Sequence, residues 1–368
     1  MENITFGFQE GRKSRLNDPP DSYAKDFFYT YHLFKSNFNN VNIIEFKNSN
    51  SSIKKSLFSF LRYLTTIPFY CEQVLNKKNK DIIKKTNNLI CVNQRVSFSL
   101  MPYTIYRSLT GKINVSVFIM GLFLDQKRHF IRTILRHFFI YIFCFSNKNL
   151  IFLSKEELNF AKKKYSKFKH KFHFLPFSID TDFWKSNKSF DKKDKIIFVG
   201  NDEKRDFEFL KNLPKNLPNL EFVLVSKFLT ENDFKETNNT KVINGVWSDK
   251  ILTDVELKNL YDTALMSLIP LKDSYQPSGQ SVALQSMAMK VPVLITDTKG
   301  FWQKDCFSDS ENIFFMEENT TKYWIERINY FIENKNILRN VSINAEKLVL
   351  ENYNLEIFFN NLKKIISN

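Results

Sequence analysis

Long apolar runs are missing from this chain. The longest uninterrupted stretch, near HFFIYIFCF (137–145), falls well short of the ~20 residues that span a bilayer. The opening MENITFGFQEGRK has no basic start followed by an apolar stretch, so no secretory signal is expected. Cysteines are few: Cys71, Cys91, Cys144 and Cys306 lie far apart in apolar surroundings. That pattern excludes a disulfide framework and a thiolate metal site, and it leaves reduced, buried thiols and a cytoplasmic location as the expectation. The five histidines and the scattered carboxylates show no ligand spacing, so no metal is expected.

Acidic residues are the other shortage, and they are short in only one half. Residues 1–200 hold 34 Lys and Arg against 15 Asp and Glu, whereas residues 201–368 hold 20 against 24. The first half therefore carries the whole net charge of +15. A lysine-rich genome accounts for many lysines but not for their absence from the second half. An anionic partner for the first half is the better explanation.

What is present is globular: 43% hydrophobic and 15% aromatic residues over 368 positions, enough for two domains. Short apolar segments at 3–8, 41–46, 88–93, 113–121, 149–154 and 171–177 read as strands. After the polar stretch SNKSFDKKDK (186–195) a second series follows at 196–200, 220–226, 241–247, 265–271, 291–297 and 312–317. Helical patterns intervene, for example at 126–146, 155–165, 254–262 and 281–290, and the chain closes on helices. Strands alternating with helices indicate βαβ units. The expected fold class is α/β, with two doubly wound, Rossmann-like domains facing a cleft. Their expected limits are 1–185 (basic), 186–352 and a C-terminal helix at 353–368 crossing back to the first domain.

Chemistry in doubly wound sheets sits in loops after strands. In IIFVGNDEKRDFEFL (196–210) a strand ends at Gly200, and Lys204 and Arg205 precede a helix near Asp206. A glycine turn with two cations at a helix N-terminus suits a diphosphate. In QPSGQSVALQSMAMKVPVL (276–294), Ser278, Gly279, Gln280 and Ser281 open a good helix that is followed at once by a strand. Bare N–H groups there suit an anion, and Gln285 lies one turn on from Ser281, on the same face. Gly11, Arg12 and Lys13 follow the first strand and are candidates for meeting phosphate. In QKRHFIRTILRHFFIYIF (126–143), Arg128, Arg132 and Arg136 recur every four residues beside an apolar face. KKSLFSFLRYLTTIPFY (54–70) mixes cations and aromatics in the same way. Such faces suit docking on anionic lipid.

The order of segments in the second half resembles the C-terminal domain of GT-B glycosyltransferases, most closely the retaining enzymes of family 4. The pieces that carry the resemblance are NGVWS (244–248), ELKNLYDTA (256–264), the strand ending in Pro270 and SVALQSMAMKVPVLITD (281–297), with FLSKEELNFAKKKY (152–165) and LPFSIDTDFW (175–184) upstream. The resemblance covers roughly residues 113–365 and is weak over 1–110. It implies a nucleotide-diphosphate sugar as donor, bound as substrate without a further cofactor or metal. Gly200 with Lys204 and Arg205 would lie near the diphosphate, and Gly279, Gln280 and Ser281 would offer it backbone amides. Gln285 stands in the place of the glutamate that holds the ribose hydroxyls. Pro277 stands in the place of the family's other motif glutamate, and the strand ending at Gly121 lacks the histidine often found there. No catalytic residue is assigned.

The resulting expectation is a metal-independent, retaining hexosyltransferase. It would move sugar to a glycan or lipid-linked acceptor of surface polysaccharide or lipopolysaccharide synthesis, peripheral on the inner face of the plasma membrane. The alternatives are a nucleotide-sugar epimerase of the same fold and a catalytically silent nucleotide-sugar-binding protein. No nucleic-acid-reading motif is present.

Overall fold

A computed structural model describes residues 3–47, 52–124, 129–186, 188–245 and 252–367. Twelve strands form two six-stranded sheets in which every pairing is parallel. The first contains β1 (Ile4–Phe8), β2 (Val41–Glu45), β3 (Asn88–Cys91), β4 (Asn114–Ile119), β5 (Asn149–Phe152) and β6 (Phe172–Phe174), in the order β2-β1-β3-β4-β5-β6. The second contains β7 (Lys195–Val199), β8 (Glu221–Val225), β9 (Thr240–Ile243), β10 (Ala264–Ile269), β11 (Val293–Thr296) and β12 (Phe314–Met316), in the order β12-β11-β10-β7-β8-β9. Each expected strand segment holds one of these strands. The end of the segment expected at 241–247 lies outside the described residues. Strand order reverses between β1 and β3 in one sheet and between β7 and β10 in the other. Open α/β sheets bind ligands beyond the strand ends at such switch points.

Parallel strands covered on both faces read as continuous apolar runs, and β10 (ALMSLI) is buried along its whole length. The helix Gln280–Ala288 lacks a clean apolar stripe because nearly all its residues are buried, Gln285 and Ser286 among them. Aromatics fill much of the first core: Phe6 meets Phe34 edge-on at 5.4 Å and Tyr31 at 5.6 Å. In the second, Phe198, Phe222, Leu294, Phe314, Trp324 and Phe331 belong to one cluster, with Phe314 and Phe331 centroids 4.1 Å apart.

The chain divides into two compact units. One comprises residues 1–17, 28–175 and 359–368; the other comprises 18–27 and 176–358. This moves the expected boundary at 185 back by ten residues, gives the short segment 18–27 to the second unit, and leaves only 359–368 of the closing helix in the first. The cause is local bonding. Asp180 and Trp184 bind Asp26, and Lys193, in the expected polar linker, is buried with Nζ donating to the carbonyls of Met289 at 2.9 Å and Tyr261 at 3.3 Å. At the other end, Phe359 packs edge-on against Phe34 at 4.9 Å, and Asn149 donates to the Ile365 carbonyl at 3.1 Å.

Trp324 is fully buried and its indole N–H donates to the Glu318 carbonyl at 2.9 Å. Trp324→Ala is expected to lower the stability of the second unit by about 3–5 kcal/mol, read as a shifted midpoint in denaturant unfolding. A change under about 1 kcal/mol contradicts this account of the core.

Candidate functional site

At the β7/β10 switch point the loop after β7 is sewn to the loop after β10. The Asp206 N–H donates to the Pro270 carbonyl at 3.0 Å, and the Lys272 N–H donates to the Lys204 carbonyl at 2.8 Å. Arg205 lies in this seam, 2% exposed, and its side chain runs between two glycines. A Cβ on Gly200 would fall 2.6 Å from Arg205 Nε, and one on Gly279 would fall 2.8 Å from Arg205 Nη1. Gly279 also has φ +78°, a left-handed conformation that side chains disfavour. A side chain at Gly200 would enter the space of the Arg205 side chain, and one at Gly279 would meet Ile269 Cγ2 at 2.7 Å as well as the guanidinium.

Gly279 is the N-cap of the helix Gln280–Ala288 and supplies no side-chain cap. The first-turn amides and the guanidinium together make an anion cradle. Asp202 already places a carboxylate in it: Oδ1 accepts from Ser278 Oγ at 2.8 Å and from the Lys204 N–H at 3.0 Å. Asp202 Oδ2 pairs with Arg205 Nε at 3.1 Å. Arg205 Nη1 has no hydrogen-bond partner among the described residues. Burial lowers the Arg205 pKa, against the attraction of Asp202 and Tyr261, and a guanidinium so placed stays charged. A buried cation with an open N–H is the feature that asks for an anionic ligand.

Beside the cradle lies a cavity of about 280 Å³ within the second unit. Val199, Val225, Gly245, Leu252, Leu257 and Val282 give it apolar walls; Asp26, Asn201, Asp202, Arg205, Ser281 and Gln285 give it polar groups. Asn201 ties three strand ends together. Its amide donates to the Gly245 carbonyl and its Oδ1 accepts from the Lys227 N–H at 2.7 Å and from Ser226 Oγ at 3.4 Å. Apolar walls with a few convergent polar groups are the usual form of a small-molecule site.

Asp26 is fully enclosed. Its Oδ1 accepts from the Asp180 N–H at 2.6 Å, and its Oδ2 accepts from Trp184 Nε1 at 2.7 Å and Gln285 Nε2 at 2.8 Å. The segment before it is held by two more carboxylates: Asp254 takes the Ala24 N–H at 2.9 Å and Asp180 takes the Lys25 N–H at 3.1 Å. Burial pushes the Asp26 pKa up to about 7, opposed by the hydrogen bonds it accepts.

Of the residues expected here, Gly200, Arg205, Ser281 and Gln285 line the cavity, and Gly279 touches Arg205 from the other side. Ser278 serves Asp202, and Gln280 is buried in the helix's first turn. Lys204 is not part of the lining; its backbone bonds to Asp202 and Lys272. Sequence reasoning missed Asp26, Asp202, Asn201 and Trp184. Asp202 and Asn201 adjoin Gly200 and were open to inspection; nothing local marks Asp26.

In the first unit, Gly11 (φ +93°) begins the short helix Arg12–Arg15. Arg12 and Lys13 are among the residues expected to meet phosphate; their backbone N–H groups donate to Glu45 Oε1 at 2.6 and 3.0 Å. Arg136, expected on an outward basic stripe, is turned inward. It is 8% exposed and donates to the carbonyls of Leu122 at 2.7 Å and Thr66 at 2.8 Å. Arg132 is half-buried and covers the Tyr63 ring at 3.8 Å. Arg128 lies outside the described residues.

No family model and no curated protein matches the sequence. Solved structures do. The chain superposes on Anabaena HepE, solved in complex with UDP-glucose, with TM-score 0.69 and 11% identity over 100% of both chains. Sucrose-phosphate synthase from Thermosynechococcus elongatus gives 0.69 and 14% over 99% of this chain and 98% of that one. A glycosyltransferase from Rickettsia africae gives 0.63 and 12% over 99% and 98%. The fold is therefore the α/β GT-B architecture carried by these glycosyltransferases.

Asp26 has a folded-state pKa of about 7 against an ordinary 3.8. Across that window the folded chain keeps a proton that the unfolded chain has released, so stability falls as pH rises through it. Glu157 in the first unit, raised by burial from 4.5 to about 7, contributes the same sign. In Asp26→Asn the fall over this window should be shallower, measured by chemical denaturation at a series of pH values. An unchanged slope contradicts the burial of an ionisable group at this position.

Proposed function

We propose that the chain is a glycosyltransferase that takes its sugar from a nucleotide-diphosphate donor. The observation that carries this reading is Arg205, buried between Gly200 and Gly279 with an N–H left open beside the uncapped helix start. A diphosphate leaving group gains negative charge as the sugar departs, and a preorganised guanidinium with helix amides stabilises it without a metal. The apolar end of the cavity, between Val199 and Leu257, suits a nucleobase, and Gln285 suits ribose hydroxyls. The finer reading is a retaining hexosyl transfer to a glycan or lipid-linked acceptor in surface polysaccharide or lipopolysaccharide synthesis. It rests on the family resemblance of the second half, and it is supported by likeness to a fold that in HepE holds UDP-glucose.

A catalytically silent binder is the second reading, favoured by Pro277 and Gln285 standing where the resembled family has glutamates. Slow donor hydrolysis without acceptor separates an enzyme from it. An epimerase would instead return an altered nucleotide sugar from donor alone.

The acceptor side is proposed to work at an anionic membrane surface. The helices Ser52–Thr65 and Phe130–Ser146 pack together in the first unit. They expose Leu57, Phe60, Tyr63, Phe130, Ile134 and Phe138, and neither contains an acidic residue. No helix among the described residues is long and apolar enough to cross a membrane, so this face would lie on a bilayer.

Two outcomes are expected. In a thermal-shift panel of nucleotide sugars at least one stabilises the wild type, while Arg205→Ala and Arg205→Lys bind it about 10- to 100-fold more weakly by calorimetry. Undiminished affinity removes the site assignment. Phosphatidylglycerol vesicles should float the wild type more than phosphatidylcholine vesicles, and Phe60→Asp with Phe138→Asp should abolish flotation. Flotation unaffected by these changes removes the membrane face.

A further inference from the structure

The cavity contains a carboxylate that the donor reading has not used. Asp26 arrives from the segment 18–27, 259 residues away in sequence from the glutamine it binds. Burial raises the Asp26 pKa to about 7, so above that pH the side chain is ionised, and an ionised carboxylate only accepts hydrogen bonds. Because Asp26 Oδ2 receives Gln285 Nε2 at 2.8 Å, the Gln285 amide can take only one orientation. The reverse would set carbonyl and carboxylate oxygens against each other. Gln285 Oε1, which takes no donor among the described residues, is left as an acceptor in a residue that lines the cavity. The carboxylate is itself fixed at both oxygens, by the Asp180 N–H and by Trp184 Nε1.

We propose that Asp26 is the positioning residue of the nucleotide site. It supplies the carboxylate that position 285 lacks and holds the Gln285 carbonyl toward the vicinal hydroxyls of a ribose. This deepens the donor reading and rests on it. A neutral amide free to rotate would offer a ribose hydroxyl its NH₂ half the time. Tethered to Asp26, it offers an acceptor polarised by the negative charge behind it. The raised pKa of Asp26 is the cost of keeping that charge out of water. Such shifts cluster at functional sites.

The test is calorimetry on the full chain at about pH 8.5, where Asp26 is ionised, with UDP, GDP and ADP, followed by the 2′,3′-dideoxy counterpart of whichever binds most tightly. The wild type should lose about 10- to 100-fold in affinity when the hydroxyls are removed. Asp26→Asn should shrink that ratio to within about 3-fold while leaving most of the diphosphate affinity. Asp26→Asn with Gln285→Glu moves the carboxylate across the pair and should restore the ratio. If the single Asp26→Asn variant does not fold, the double variant is read by itself, since it keeps one carboxylate between the two positions. A wild-type ratio in Asp26→Asn, or a folded double variant indifferent to the hydroxyls, overturns the proposal. Absence of binding by all three diphosphates overturns the donor reading, and this inference with it.

Discussion

The second unit is organised around the buried guanidinium of Arg205. Arg205 sits at the point where strand order reverses, and it is enclosed by two glycine backbones that leave no room for a Cβ. An isolated guanidinium in such a place would be strongly unfavourable. Asp202 offsets the charge in part, and Nη1 has no hydrogen-bond partner among the described residues. The surrounding features follow from that need. A left-handed glycine opens the helix Gln280–Ala288, and a seam of backbone bonds joins the loops after β7 and β10. Asn201 then fixes the neighbouring strand ends.

Charge in the cavity is distributed with a purpose that composition alone hides. The second half of the chain is slightly acidic, yet its cradle is cationic. The carboxylates around the cavity, from both halves of the chain, are used up in place: Asp202 on Arg205 and Ser278, Asp180 and Asp254 on the backbone of the segment 18–27, Asp26 on Gln285. Burial raises the Asp26 pKa to about 7, so its charge is held at a cost to stability. Sites that bind or react often keep such groups at the expense of stability.

The fold was legible because parallel strands buried on both faces leave unbroken apolar runs, and each such run holds a strand. Part of the cavity was legible as well, because Gly200, Arg205, Ser281 and Gln285 follow strands in a recognisable order. Asp26 was not, since a lone carboxylate among Tyr, Lys and Phe carries no period and its partner lies far along the chain. Arg136 shows the opposite failure. Spacing of four residues places side chains on one helical face but does not say whether that face meets water, and here the guanidinium is bound to two inner carbonyls. The boundary between units moved for a related reason: Asp180 and Trp184 bind Asp26, far back along the chain, and nothing local marks that pairing.

The central claim, that the buried cation and the uncapped helix start receive a diphosphate, is tested most directly by a crystal structure of the chain soaked with a nucleoside diphosphate. The account predicts phosphate oxygens within hydrogen-bond distance of Arg205 and of the amides at 279–281, with Asp202 displaced from the cradle. Diphosphate density elsewhere on the chain, with Asp202 still bound to Ser278, would contradict it.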